Sequence, residues 1–313
     1  DELDYDYHVR HSALPQPGGE RELGELVSHL HGVILDRSRP LWTCHVIEGL
    51  HGGRFAIYLK VHHALTDGIR CLNLLVDSLS ARPDGQICAP WERRPKPLPK
   101  TDSAAPAERP EKPLSIPEWA AALTKAIRPQ HGSEASDSVK PFAAPRSLLN
   151  GSVTNARRVA TQQLDLGRVK QLAKRAGVSV NDIFLAVCSA ALRRHLQWQS
   201  ALPERSLTVA IPMSLRKPGD STSANAVVLS WATLASDIDD PRQRLLAIRA
   251  STLDAKKELN AIPERARPLV KTLSALPATL VGTLGLSAWL PPPMNLVISN
   301  VPGPPSILHP GVA

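Results

Sequence analysis

The strongest constraint on the fold is the run Arg54–Val61, RFAIYLKV, in which Phe55, Ile57, Leu59 and Val61 alternate with Ala56, Tyr58 and Lys60. Alternation of period two marks a strand, because successive side chains leave it on opposite faces. Leu50-His51-Gly52-Gly53 just before it has the composition of a turn, and Thr43–Ile47 reads as a shorter strand. Together they predict a hairpin. It feeds directly into Val61-His62-His63-Ala64-Leu65-Thr66-Asp67-Gly68. Ile69–Leu79 then repeats Leu72, Leu75, Val76 and Leu79 at helical spacing, so the two adjacent histidines are expected where a strand gives way to a helix.

Around this unit the pattern predicts further elements. Glu20–Leu30 reads as a helix with Leu23, Leu26, Val27 and Leu30 on one face. From 81 to about 118 the chain turns to Pro, Ala, Lys and Glu, as in ERRPKPLPK, which reads as an extended linker; a short helix is expected at Glu118–Ile127. Order resumes near Arg157. A helix follows Leu164-Asp165-Leu166, with Val169, Leu172, Ala173 and Ala176 inward and Gly177 as its stop. Ser179-Val180-Asn181-Asp182 resembles a capping box with a shortened acid, opening a helix apolar on nearly every side and expected to be buried. Ser206–Ile211, Ala226–Ala235 and Met294–Val301 read as strands, and Pro241–Leu259 as a charged helix with Pro in its first turn. Thr272–Leu290 carries no charge but holds Pro277, Gly282 and Gly285, and is read as a buried or interfacial helix rather than a membrane span. The division expected is 1–80, a lobe carrying the histidines; 81–150, a linker or crossover; and 151–313, a second lobe. With no initiator Met, an opening DELDYDYHVR and a close at HPGVA, the sequence is expected to be trimmed at both ends.

Composition narrows the function classes. Aromatics are only 4%, so the core must rest on Leu, Val, Ile and Ala. A net charge of +8 suits nucleic acid, an anionic lipid surface, a polyanionic ligand or a merely solvated surface. Nucleic acid is disfavoured by the lack of finger spacings, aromatic platforms and long basic runs. The cysteines Cys44, Cys71, Cys88 and Cys188 are scattered without a CxxC, and read as free thiols of a reducing compartment, with Cys188 in the core.

The histidine pair allows three readings from spacing alone. His63 can act as a general base, since imidazole titrates near neutrality and can take a proton from an alcohol or thiol. The pair can be structural. His63 and Asp67, four apart, can also share a helical face as metal ligands, but no third ligand and no HExxH accompanies them. Asp67 can fold back on its turn or pair with an arginine, and Gly68 leaves room for substrate or permits a tight backbone turn.

The segment matches the HHxxxDG signature of coenzyme-A-dependent acyltransferases. More narrowly, the chain resembles the bacterial wax ester synthase/diacylglycerol acyltransferase family. It carries, in family order, Pro40-Leu41-Trp42, Ile47-Glu48-Gly49-Leu50, Asn181-Asp182, Ile211-Pro212-Met213-Ser214-Leu215-Arg216 and the run NLVISNVPGP from Asn295 to Pro304. HHxxxDG alone is shared with peptide-condensation domains; the SNVPGP run with PLW is more specific. Ala224-Asn225 departs from the expected Gly-Asn.

The resemblance implies an α/β fold: a two-lobed, chloramphenicol-acetyltransferase-like architecture with mixed sheets and a tunnel at the lobe interface. It implies direct transfer of a long-chain acyl group from acyl-CoA to a diacylglycerol or a long-chain alcohol. His63 is then the base and His62 shapes the loop. Asp67 is structural, with Arg216 as its salt-bridge candidate, and Ser299 and Asn300 are candidates for the acyl site or oxyanion. Neither metal nor cofactor is expected; acyl-CoA is a co-substrate. Partners are acyl-CoA, the acceptor lipid and a peripheral membrane or lipid-inclusion surface, in a cytoplasmic setting. Two other classes stand beside this one: a condensation acyltransferase using carrier-bound substrates, and a lipid-binding fragment without catalysis.

Overall fold

A computed structural model of the chain describes residues 3–66, 68–80, 82–85, 139, 142–151, 153–214, 227–261 and 290–304. The described residues form two compact units. The first draws on Asp1–Lys100, Val153–Gln163 and Val301–Ala313, the second on Thr101–Ser152 and Leu164–Asn300. The segment Val153–Gln163 therefore groups with the first unit, whereas the sequence division runs straight at 150. The linker from 86 onward, the short helix at 118–127, Cys88 and nearly all of 272–290 lie outside the described residues.

In the first unit, a one-turn helix α1 (Tyr5–His8) leads into β1 (Val9–Ala13), two elements that sequence periodicity does not announce. Helix α2 (Glu20–Gly32), strands β2 (Trp42–Leu50) and β3 (Arg54–Val61) and helix α3 (Gly68–Asp77) follow. The sheet order is β1-β2-β3, with β1 parallel and β3 antiparallel to β2. The hairpin is as expected, with β2 longer than Thr43–Ile47 because it starts at Trp42 and continues past a register shift between Ile47 and Leu50. Gly49 sits in that shift at φ +84°, and a Cβ there would crowd Leu14. That is the physical reason for glycine in Ile47-Glu48-Gly49-Leu50.

The core of this unit joins Leu14, Ile47 and Leu50 to Leu23, Leu26 and Val27 of α2, with Ala56 and Tyr58 of β3. Phe55 and Ile57, on the opposite face of β3, are half exposed. Leu72, Leu75 and Val76 of α3, and Leu79 just beyond it, are half-buried. Gly24, Ser28 and Gly32 lie at i, i+4, i+8 on α2, and the irregular segment 155–159 runs over them. A Cβ on Gly24 would stand 2.7 Å from the Val159 carbonyl oxygen, and one on Gly32 2.8 Å from that of Asn155. Between them the Val159 N–H donates to Ser28 Oγ at 2.8 Å. Lys60 donates to the carbonyls of Leu30, His31 and Val33, placing its charge at the negative end of α2.

The second unit holds α4 (Leu166–Ala176), α5 (Val180–Trp198), β4 (Thr208–Ser214), β5 (Val227–Thr233), α6 (Pro241–Asn260) and β6 (Leu296–Val297). Its sheet order is β5-β4-β6, β5 antiparallel and β6 parallel to β4. Leu185 and Leu196 of α5, Val209 of β4, Leu234 just after β5 and Ile248 of α6 are fully buried in one cluster. Each such side chain contributes about 1.5–3 kcal/mol.

Several expectations need correction here. Helix α5 is not buried all round: Asp182, Ile183, Leu185, Ser189 and Leu196 face the core, while Val187 is 46% and Trp198 79% exposed. Its apolar outer side chains simply exceed what one sheet face can cover. Cys188 is half-buried, packed against the edge of that cluster. On α4 Ala173 is buried but Leu172 is 52% exposed and Ala176 is exposed as well, because the inward stripe narrows to Val169 and Ala173. Strand β4 runs through Pro212 to Ser214; β6 pairs only at Val209 and Ala210, so the missing Pro212 N–H falls where one neighbour remains. The expected strand Met294–Val301 shrinks to Leu296–Val297, flanked by single bonds from Asn295 N–H to Thr208 O and Ile298 N–H to Ala210 O. No single helix among the described residues is long and apolar enough to cross a membrane.

Two outcomes are expected. Alanine normally stabilises a helix interior by about 1 kcal/mol over glycine, yet Gly24→Ala should lose roughly 1–3 kcal/mol in urea unfolding, as an overpacked contact does; a gain would mean that the 155–159 segment does not press on α2. Burial first, then the charges of Arg10 and Lys60, hold His45 below the ordinary 6.5. The unfolded chain therefore binds the extra proton more readily, and stability should fall as pH drops from 7.5 through 6.5 toward 5. That fall should lessen in His45→Gln, with the His45 titration read by NMR.

Candidate active site

The hairpin fixes where the histidines emerge. Val61, the last residue of β3, is paired with Trp42, the first of β2. One residue on, the His62 N–H donates to the Leu41 carbonyl at 2.9 Å. The Leu65 N–H then donates to the His62 carbonyl at 2.9 Å, closing a turn whose first central residue is His63. The Ala64 N–H donates to His62 Nδ1 at 3.1 Å. The His62 ring is thus engaged with its own loop as an acceptor, which puts the proton of its neutral form on Nε2. His63 stands exposed at the head of the turn. The two neighbouring rings thus differ: His62 accepts a bond from its own loop, and His63 is exposed.

Gly68 opens α3 and is exposed. Its φ is not in the left-handed region, and among the described residues no atom lies within 4 Å of where a Cβ would be. Backbone strain therefore does not require glycine there, and the reading left for it is open space beside the histidine turn. Asp67, between Thr66 and Gly68, lies outside the described residues, as do Leu215-Arg216 and Ala224-Asn225. The Asp67–Arg216 pair is consequently not among the contacts described. β4 ends at Ser214, two residues before Arg216.

Ser299 and Asn300 belong to the second unit and are exposed, just past Ile298, whose N–H makes the last bond to β4. The residues that begin the same motif are structural. Asn295 is 6% exposed; its Oδ1 accepts from the Thr208 N–H at 2.8 Å and its Nδ2 donates to Pro145 O and Asn150 Oδ1, both at 2.7 Å. The Trp231 indole donates to Pro293 O. NLVISNVPGP is thereby anchored at its front and exposed at its polar pair.

Asn181-Asp182 is architectural, as the capping reading implies. Asp182 accepts from Ser179 N–H at 2.8 Å and Ser179 Oγ at 2.7 Å, and Ser179 Oγ accepts from the Asp182 N–H. Its other oxygen, Oδ1, accepts from Thr252 Oγ1 on α6 at 2.8 Å. A carboxylate only 5% exposed thus caps α5 and holds α6 at once.

Nucleophilic alternatives are weak. Cys44, Cys71 and Cys188 are free thiols, and burial pushes each above its usual pKa, away from the reactive thiolate. Among the described residues no group of three or more His, Cys, Asp or Glu side chains is arranged to hold a metal. Sequence reasoning missed His8, Lys60 and the small-residue line Gly24-Ser28-Gly32. The last two left a trace: a lysine on the inward face of an alternating strand, and small residues four apart within an apolar helix.

Known proteins are similar to nearly the whole chain. Residues 1–184 match the family model for the wax ester synthase/diacylglycerol acyltransferase catalytic domain, and residues 223–309 match that for the WS/DGAT C-terminal domain. A probable diacylglycerol O-acyltransferase of Mycobacterium tuberculosis is 43% identical over 318 residues, covering 100% of this chain and 70% of the relative. The O-acyltransferase WSD of Acinetobacter baylyi is 39% identical, covering 99% of this chain and 69% of its own. Among solved structures, the wax ester synthase/diacylglycerol acyltransferase of Marinobacter aquaeolei VT8 superposes with a TM-score of 0.67 at 34% identity, over 99% of this chain and 65% of that one. The chain thus spans somewhat under two thirds of that solved protein.

Asp182 falls within the first matched region and Thr252 within the second. Asp182→Ala should cost about 2–4 kcal/mol, combining a lost cap with donors left unsatisfied. Thr252→Val should cost less, and the double variant should fall short of the sum. Additive losses in chemical denaturation would show that the bond between the helices carries no coupling.

Proposed function

We infer the reaction from the family: the chain belongs to the wax ester synthase/diacylglycerol acyltransferase family, and its members are acyltransferases. We propose that this chain moves a long-chain acyl group from acyl-CoA to the hydroxyl of a diacylglycerol or a long-chain alcohol. His63 takes the hydroxyl proton as the oxygen attacks the thioester carbon. Polar donors carry the charge of the tetrahedral intermediate, an effect of about 3–4 kcal/mol per donor where such donors have been removed. The carbon–sulfur bond then breaks, and the imidazolium returns its proton to the departing thiolate. No acyl-enzyme forms. We assign Ser299 and Asn300 to the oxyanion and the acyl chain, and the Asp67–Arg216 pair to holding the loop.

The observation that carries this reading is the exposed His63 at the head of a turn closed by the His62 carbonyl and braced by the His62 ring. A base must reach substrate while its loop stays fixed, and the two histidines meet those demands separately. We place the reaction at a cytoplasmic membrane or lipid-inclusion surface, where both acceptors partition. What supports that surface is α4, whose Arg168, Lys170, Lys174 and Arg175 are exposed without an acidic neighbour in the helix, beside Leu166 at 56% and Leu172 at 52% exposure.

Thiol release from palmitoyl-CoA, with hexadecanol or a diacylglycerol as acceptor, tests the reaction. His63→Ala should lower turnover by about 10²–10⁴-fold and leave the KM for acyl-CoA within a few-fold. Undiminished turnover in that variant defeats the base assignment. Turnover only with a carrier-bound acyl donor moves the chain to the condensation class.

A further inference from the structure

Among the described residues of the first unit His8 is the most buried titratable side chain, 1% exposed, and the reaction as described makes no use of it. Its Nδ1 lies 2.7 Å from the Trp42 carbonyl oxygen. A carbonyl only accepts, so Nδ1 carries the proton and donates. The His8 ring also stacks on the Trp42 indole, centroids 4.5 Å apart at 26°. Around it the shell is continuous. Tyr7 meets His8 edge-on at 5.0 Å, and the Arg39 guanidinium lies 4.1 Å over the Tyr7 ring while donating to Asp4 at 2.7 Å. A polar imidazole so enclosed is costly to hold unless its bond is kept.

The adjacent carbonyl, that of Leu41, accepts from the His62 N–H, and Trp42 itself pairs with Val61. Consecutive carbonyls of Pro40-Leu41-Trp42 are thus held from opposite sides: Trp42 O by His8, Leu41 O by the residue beside the base. We propose that His8 is a positioning residue for acyl transfer, fixing through the Trp42 peptide the place at which His63 meets substrate. This inference rests on the reading of His63 as the base. It makes PLW the bar between a buried imidazole and an exposed one, and gives Trp42 a role other than lining a substrate wall.

Three substitutions separate the donor from the ring. His8→Phe keeps a ring to stack on Trp42 and loses the donor. His8→Asn keeps an N–H at the Nδ1 position and loses the stack, and His8→Gln moves the N–H one bond too far. Misplacing a base by about 1 Å can cost ~100-fold. Expected for His8→Phe is therefore a kcat about 10–100-fold lower, an acyl-CoA KM within twofold and the same apparent pKa in the pH–rate profile. His8→Asn should stay within about fivefold of the parent kcat. If His8→Phe does not fold, His8→Gln replaces it: a kcat well below that of His8→Asn supports the clamp, and equal values overturn it. A parent-like kcat in His8→Phe overturns it as well, and so does a shifted apparent pKa, which would make His8 a proton carrier. His63→Ala is run alongside. Turnover surviving there fails the base, whereas an inactive His63→Ala beside a parent-like His8→Phe fails the clamp alone.

Discussion

The pairing of Trp42 with Val61 is the contact on which the first unit depends. A strand has period two, so a slip of one residue along β2 would turn Ala56 and Tyr58 out of the core and drive Phe55 and Ile57 into it. It would also carry His62 away from the Leu41 carbonyl. Register is therefore enforced from both ends of the hairpin. At one end the bulge at Gly49 tucks against Leu14. At the other, the Leu41 and Trp42 carbonyls accept from His62 and His8. Between them Ile47 is completely buried against α2. The histidine turn begins one residue after the last rung, so little slack separates the sheet from the chemistry.

The second unit reaches rigidity differently, through buried polar side chains that are fully engaged. The Asp182 carboxylate joins two residues: Ser179 at its own helix start and, on α6, Thr252. Asn295 does the same between β4, the loop at Pro145 and Asn150. Inside a protein such groups are favourable only when every partner is present. They therefore select one arrangement over near alternatives rather than adding much net stability. Both lie in motifs of the family, and in both the polar atoms point at the protein itself. Motif membership alone does not distinguish a residue that touches substrate from one that builds the frame.

What could be read from the sequence follows from how local its cause is. The hairpin, α2, α4, α6 and the capping box at Ser179 are governed by neighbours within a few positions, and periodicity finds them. β1 and the turn before it were invisible because five residues of VRHSA owe their strand to a parallel partner more than thirty positions away. Burial was overstated on α5 for a related reason. An all-apolar helix announces that it can be buried, but Val187 and Trp198 show that the packing surface available decides which face is. At the site, HHxxxDG pointed to His63 and PLW to its neighbourhood, whereas His8 carries no local mark at all. A lone histidine after YDY gains its meaning only when Trp42 folds against it.

Two adjacent histidines in one turn are not redundant. An imidazole base can keep one nitrogen bonded to the protein and offer the other to substrate, so what the His62 ring adds is a second bond of its own, accepted from the Ala64 N–H. On the proposed reading His63 is the neighbour that meets substrate. Direct transfer suits that arrangement better than a covalent relay. A relay through sulfur needs a thiolate near substrate, and burial works against ionisation at Cys44, Cys71 and Cys188 alike. An imidazole exposed on a fixed turn needs no such ionisation. It needs only that the turn stay where the sheet puts it, which brings the chemistry back to the carbonyls of Leu41 and Trp42 and the groups that hold them.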